Sequence, residues 1–363
     1  MKLTKKQIEA VQFYKLGKIT EAINCFESSI KENVNNELIF ESLGICYMEI
    51  GKYEKSIDNF SKVLNLNNNS EKSIYSIFNL LNIIKPKNFR NNNLVSANEK
   101  IMSLNDEFEG NIPENFILKD IFKKAENYIK DFDKINYKET QIFRTKNKKL
   151  GCDRHFKIFN KFQIIPKYCF SCYKIQIITE NVFELIKLYF FFNELFIEKS
   201  ILRKCMIELR PNVRENYKGL IYFSSLQDSV DSLDFLKKKI IESKIQVKNI
   251  DIKHGCSEFY KKHPDFKEIN FKGKQVMNYN KNWDKFEKIV DNENTNTIQK
   301  DNLFLETTLN IMTISDFFII KNWLTYAKIL GDKSYEKICT IEIKNNFLIN
   351  ILKEQYDFRK KEF

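Results

Sequence analysis

FYKLGKITEAINCFESSI (13–30) and YMEIGKYEKSIDNFSKVL (47–64) are one pattern written twice, 34 residues apart. Ala10, Phe13, Gly17, Ala22, Phe26 and Ser29 recur as Gly44, Tyr47, Gly51, Ser56, Phe60 and Val63. A period of that length belongs to arrays of paired helices. Ala10/Gly44 and Ala22/Ser56 are small at matching places, and Phe13/Tyr47 and Phe26/Phe60 are aromatic at matching places. Gly17 and Gly51, each followed by Lys, mark the turn within each pair. A further helix over residues 71–84 repeats the first half of the unit, and Pro86 ends it.

On these residues, 1–86 resembles the tetratricopeptide repeat (TPR) family. The family's Trp position holds Lys6 and Phe40, and its closing Pro is absent, with Val34 and Asn68 nearby. The resemblance implies a protein-docking role. It places a concave partner wall on the inner helices, at Gln7, Val11, Tyr14, Leu38, Glu41, Ile45, Met48, Tyr75, Asn79 and Asn82. Family members that clamp a peptide carboxylate use Lys and Asn on this wall. Val11 and Ile45 stand where those are needed, which argues against that clamp. Two and a half repeats do not bury a continuous core by themselves. The segment therefore packs on the rest of the chain or on a partner, and the wall is either a peptide groove or an internal face.

The chain has 363 residues, enough for two or three domains. It carries a net charge of +12. An anionic partner would suit that charge. So would the codon bias of an AT-rich gene, because the lysines are spread along the whole chain and come with much Asn, Ile and Phe. The opening MKLTKKQIEA reads as a charged amphipathic helix rather than a leader. The most apolar stretches, 182–197 and 309–330, are interrupted by Glu184, Lys187 and Glu194 and by Asp316 and Lys321. Neither reads as a membrane span. The expectation is a cytoplasmic, reducing location, where eight cysteines act as thiols or metal ligands.

Residues 87–140 read as a helical connector, with helical spacing over 116–132. Past it the pattern changes. Tyr173, Ile175 and Ile177 alternate with polar residues as a strand, and 182–196 is an unbroken apolar helix. Two short strands follow over 205–209 and 220–223, with Pro211-Asn212 between them. An amphipathic helix covers 226–241 and a last strand 245–252. The order β-α-β-β-α-β predicts a ferredoxin-like module. The expected architecture is therefore α+β and multidomain. Repeats over 1–86 are followed by a connector over 87–140 and an α+β module over 141–270 with a Cys/His-rich edge. A mainly helical region over 271–363 completes the chain. DNENTNT (291–297) reads as a linker within that last region.

Five of the eight cysteines lie between 152 and 256. With strand order 4-1-3-2, Cys169, Cys172, Cys205, His254 and Cys256 gather at one end of the sheet, and Cys152 lies just upstream. Soft ligands in such a set suit tetrahedral zinc or an iron–sulfur cluster. One C-x-x-C is a weak motif, and structural thiols explain the same residues. A redox dithiol at Cys169 and Cys172 is less well supported, since the pair precedes a strand and not a helix.

The run RTKNKKLGCDRHFK (144–157) holds six Lys or Arg and one Asp. The strand YKGLIYF, with Lys218-Gly219 and Tyr222, is similar to the signature of RNA-recognition sheets but keeps one stacking aromatic. RNA binding and an ordinary strand beside a solvated basic loop both fit. Arg203, Arg210 and Arg214 suit an anion, although Glu208 among them suits an internal ion pair. Phosphate-binding Gly loops and a nucleophile elbow are absent from the sequence. An enzyme centred on the Cys/His edge, around His254-Gly255-Cys256, is thus the second functional reading, after a partner-docking protein with a metal-binding module.

Overall fold

The computed structural model describes residues 4–30, 36–87, 92–108, 113–132, 135–145, 150–211, 213–295, 311–339 and 346–359. Helices α1 (Lys5–Lys15) and α2 (Ile19–Ile30) form one hairpin. Helices α3 (Glu37–Glu49) and α4 (Tyr53–Leu66) form the next, and α5 (Glu71–Leu81) follows singly. Gly17 and Gly51 adopt φ of 76° and 73°, left-handed values that favour glycine, and the chain reverses at each. Thr4 starts α1 with a capping box to Gln7, and Asn36 starts α3 by accepting the N–H of Leu38 and Ile39. A Cβ on Gly44 would lie 2.8 Å from the Phe60 ring, so only glycine lets α3 and α4 meet so closely.

Helices α6 (Asn93–Ser103) and α7 (Asn115–Ile129) follow. On α7 the side chains Leu118, Ile121, Phe122, Ala125 and Ile129 are buried, one apolar stripe at helical spacing. Next come β1 (Gln141–Thr145), α8 (Cys152–Phe162), β2 (Tyr173–Thr179), α9 (Val182–Glu194), β3 (Leu202–Ile207), β4 (Tyr217–Phe223), α10 (Leu226–Glu242) and β5 (Val247–His254). The five strands make one antiparallel sheet in the order β1-β3-β4-β2-β5. The edge strand β1 is an element the sequence pattern does not announce. Its five residues alternate too briefly to stand out beside the masking run of lysines that follows.

Helix α11 (Asp284–Thr295) corrects the linker expectation, because DNENTNT is helical through Thr295; its last two residues lie outside the described ones. Arg154 on α8 explains the anchoring. Its Nε and Nη2 donate to the two carboxylate oxygens of Asp291 at 2.6 and 2.8 Å, and Val290 beside it is buried. The composition is that of a loop, but a bidentate pair and one apolar contact hold the helix.

Helix α12 (Ile314–Leu330) is buried nearly all round, as an apolar helix with few charges must be. Residues 303–310, read as helical with it, lie outside the described ones. Thr313 and Asp316 cap α12 reciprocally. Asn98 accepts the N–H of Ile314 at 2.9 Å, and Trp323 Nε1 donates to the Thr140 carbonyl at 2.9 Å. Helix α13 (Asn346–Arg359) closes the chain's described part. A single apolar cluster runs from Ile57 on α4 through the sheet and α12 to Leu352 on α13. Among the described residues, no helix is long and apolar enough to cross a membrane.

Candidate functional site

Strand alternation divides the sheet into two faces. On one, Arg203, Cys205, Ile207, Tyr217, Ile221 and Ile175 turn toward α9, α10 and α12; the apolar members of this set belong to the main core. On the other, Cys172, Leu202, Met206, Leu220 and Tyr222 form a separate cluster with Leu150 and Tyr168. At the end of the sheet, Cys169 packs with Phe159, Ile165, Phe259 and Phe266, and Cys256 borders that group.

Cys169, Cys172 and Cys256 lie at this end of the sheet. Tyr173 pairs in register with His254, and the N–H of Gly255 donates to the Cys172 carbonyl at 2.7 Å. The N–H of Cys172 donates in turn to the Cys169 carbonyl at 3.2 Å. Cys152 opens α8 after Gly151, in left-handed conformation at φ 65°. All eight cysteines are free thiols. Burial, then the charge of Cys256, pushes the Cys152 thiol up to about 11 and the Cys172 thiol up to about 12. Burial also raises Cys169, followed by the charges of Cys256, Cys172 and Cys152. Among the described residues, no group of three or more His, Cys, Asp or Glu side chains is placed to hold a metal ion.

Two residues of the expected ligand set stand apart. Cys205 pairs with Gly219 in mid-strand and points into the helix-covered core, away from the thiols. The strand was expected to open at Cys205 but opens at Leu202, which places Cys205 in mid-strand with its side chain on the face opposite Leu202 and Met206. His254 reaches the right end, yet both ring nitrogens face backbone carbonyls, Phe266 O at 2.8 Å and Phe170 O at 3.2 Å. Its ring stacks on Tyr173 at 4.5 Å, and burial holds its pKa down.

Tyr168 is a member the sequence did not single out. Its hydroxyl is buried with no hydrogen-bond partner, and its pKa is raised by burial and then by Cys172, Cys152 and Cys169. His155 stacks on the same ring at 5.3 Å. Two lysines share the face. The ammonium of Lys174 lies 5.9 Å over the Tyr222 ring. Burial, then Lys174, holds Lys204 down to about 8. Tyr222, on which the nucleic-acid reading rests, is only 7% exposed, so it offers no open stacking platform.

The three arginines do not converge. Arg203 is buried and donates to the carbonyls of Phe192 and Leu195 at the end of α9. Arg210 forks onto Glu208, with Nε–Oε1 and Nη2–Oε2 each 2.8 Å, and reaches Glu258 at 2.7 Å. Arg214 is exposed. Glu208 also accepts from buried Lys218 at 3.0 Å. Burial alone would raise the Glu208 carboxyl, but Arg210 and Lys218 outweigh it and hold it at about 2, against an ordinary 4.5. The folded chain therefore refuses a proton that the unfolded chain accepts as pH falls from about 4.5 to about 2. Stability from this group is complete above that window and lost across it. Glu208→Gln is expected to flatten the acid limb of melting temperature against pH over the same window. At neutral pH it is expected to cost about 3 kcal/mol by stranding Lys218. An unchanged acid slope would sink this assignment.

The partner wall is divided. At its far end the chain covers itself. Tyr75 accepts the N–H of Lys138 at 2.9 Å and packs on Tyr137 at 4.7 Å, and Asn82 accepts from Thr313 Oγ1 at 2.6 Å. Gln7 is buried in the α1 cap, and Val11 packs inside the first hairpins. Toward the near end, Tyr14 donates to Glu49, and Glu41 pairs with Lys72. Ile45 and Met48 are half-buried, Asn79 is exposed, and Leu38 is 50% exposed. A cleft of about 570 Å³ opens beside Tyr75, floored by Leu64, Ile74 and Phe132 and rimmed by Asn65, Asn68 and Asn136.

Compared with known proteins, the chain matches no family model and shows no significant likeness to a curated protein or a solved structure.

Proposed function

We propose that this chain is a protein-docking molecule. In this reading its first two helical hairpins are of the tetratricopeptide type, and an α+β body of ferredoxin-like order braces them. The 34-residue offset, the Gly17 and Gly51 turns and the Gly44–Phe60 approach support the first part. The strand order β3-β4-β2-β5, with α9 and α10 as its crossovers, supports the second.

One observation carries the docking role. Among the described residues, α12 and the 137–138 segment meet the wall at its far end, while Leu38 on α3 stays half-exposed on the near end. A large apolar side chain held open by a capped helix is the kind of anchor a partner covers. Panning the full chain against a displayed random-peptide library is expected to enrich one sequence class. Leu38→Asp should weaken that class at least tenfold, about 1.4 kcal/mol, with the melting temperature unchanged. No enrichment, or equal binding by the variant, overturns the proposal.

A further inference from the structure

Phe116 at the start of α7, Phe196 just past the end of α9 and Phe235 on α10 are 68%, 70% and 45% exposed. Phenylalanine is among the side chains most often fully buried. All three line one cleft of about 910 Å³, floored by the buried Phe191 and Leu195. Their exposed surface amounts to about 350 Å², taking roughly 200 Å² for a whole ring. An apolar patch of that size is often a binding surface. A stable contact between proteins takes about 800 Å² from each partner, so these rings alone supply nearly half of one side.

The charges around the cleft decide what covers it. Three lysines and three glutamates line it, so the face as a whole is neutral and does not select an anionic surface. Lys187 on α9 donates to the carbonyl of Lys244 at 2.7 Å, which sets both lysines at one end. Glu194 lies seven residues further along α9, about 10 Å away, at the other end. Lys199, just past it, reaches Asp228 at the start of α10 at 2.9 Å, so α9 and α10 run in opposite directions along the cleft. Lys187 is neutralised by Glu184 at 3.0 Å, and Lys239 and Glu242 neutralise each other at 2.8 Å. The Lys244 ammonium and the Glu194 carboxylate make no ion pair among the described residues. They leave a net cation at one end and a net anion at the other. A face polarised in this way matches its own copy turned end for end.

We infer that this face binds a second copy of the chain about a two-fold axis crossing the cleft. Helices α9 and α10 of one protomer then lie antiparallel to those of its partner. The phenylalanines of the two copies bury one another, and Lys244 of each faces Glu194 of the other. The apolar centre supplies the affinity, and the two charge pairs at the rim fix the orientation.

Sedimentation equilibrium on the full chain tests this, with a reductant present to exclude disulfide-linked pairs. The parent is expected to pass from monomer to dimer below about 100 μM. Phe116→Asp and Phe235→Asp should each weaken the dimer at least tenfold. Both rings are exposed, so the melting temperature of the dilute monomer should stay at the parent's value. Glu194→Lys sets ammonium groups face to face across the axis, and Lys244→Glu sets carboxylates face to face. Each variant alone should stay monomeric where the parent is a dimer. An equimolar mixture of the two restores both opposite-sign pairs and should return the dimer. A parent that stays monomeric up to about 100 μM overturns the proposal, whether or not this face then takes a peptide or a lipid vesicle. So does a dimer that Phe235→Asp leaves intact. A mixture that stays monomeric overturns the antiparallel arrangement. None of these outcomes touches the docking reading, which rests on α1 to α4.

Discussion

Asp316→Ala is expected to lose about 3–5 kcal/mol of stability, because it strands a buried arginine. Arg144, on edge strand β1, donates from Nη2 to Asp316 Oδ2 at 2.6 Å. Tyr189 donates to the same oxygen at 2.9 Å, and so does the Thr313 N–H at 3.1 Å. The Nε of Arg144 turns to Asn193 Oδ1 at 3.2 Å. The two charged side chains are 6% and 1% exposed, so water does not replace the lost partner. Burial alone would weaken the guanidinium's hold on its proton, and the Asp316 charge more than restores it. Removing the carboxylate therefore leaves a buried charge, a cut capping box on α12 and a Tyr189 hydroxyl without its Asp316 acceptor. Denaturant titration should show the midpoint falling with an unchanged slope. The double substitution Arg144→Met with Asp316→Leu should recover much of the loss, since it removes both charges together. A single variant within about 1 kcal/mol of the parent would mean that solvent reaches the pair.

Phe78→Ala is expected to cost about 3–5 kcal/mol through the cavity it leaves. Phe78 is fully buried on α5. It meets Tyr137 edge-on at 4.9 Å and Phe318 on α12 at 5.4 Å. This is the joint between the helical arm and the central helix, so the loss should appear in the melting of the whole chain. Calorimetry that shows only a small N-terminal transition shifting, with the main one in place, would mean that the arm is not braced here.

Both expectations rest on contacts that no local pattern contains. Arg144 reads, along the chain, as the first charge of a basic run, and Asp316 as an interruption of an apolar stretch. Their pairing spans 172 positions. Arg154 in the same run pairs with Asp291 on α11 while its side chain stays one-third exposed. The anion-binding expectation failed for the same reason. Glu208 lies two residues before Arg210, close enough in sequence to be seen as its partner, whereas the carbonyls that hold Arg203 belong to a helix end.

The thiol edge was legible in part. Strand order follows from the element order and from chain connectivity, and it placed Cys169, Cys172 and Cys256 at one end of the sheet. Parity was also available in the sequence, and it separates Cys205 from Cys172 once the strand is extended to begin at Leu202. Tyr168 was invisible, because nothing in KYCFSCY tells a buried hydroxyl from a solvated one.

What the sequence determined by itself is local: the reversals at Gly17 and Gly51 and the alternation of β2. Each depends on residues within one turn or one strand, where backbone geometry and side-chain period act directly. The tertiary structure alone decided which of the expected wall residues the described chain covers and which arginine meets which carboxylate. It also set Cys205 and Cys172 on opposite faces of the sheet. Those outcomes depend on burial between segments distant along the chain, and burial sets both the cost of an unpaired polar group and the strength of a paired one.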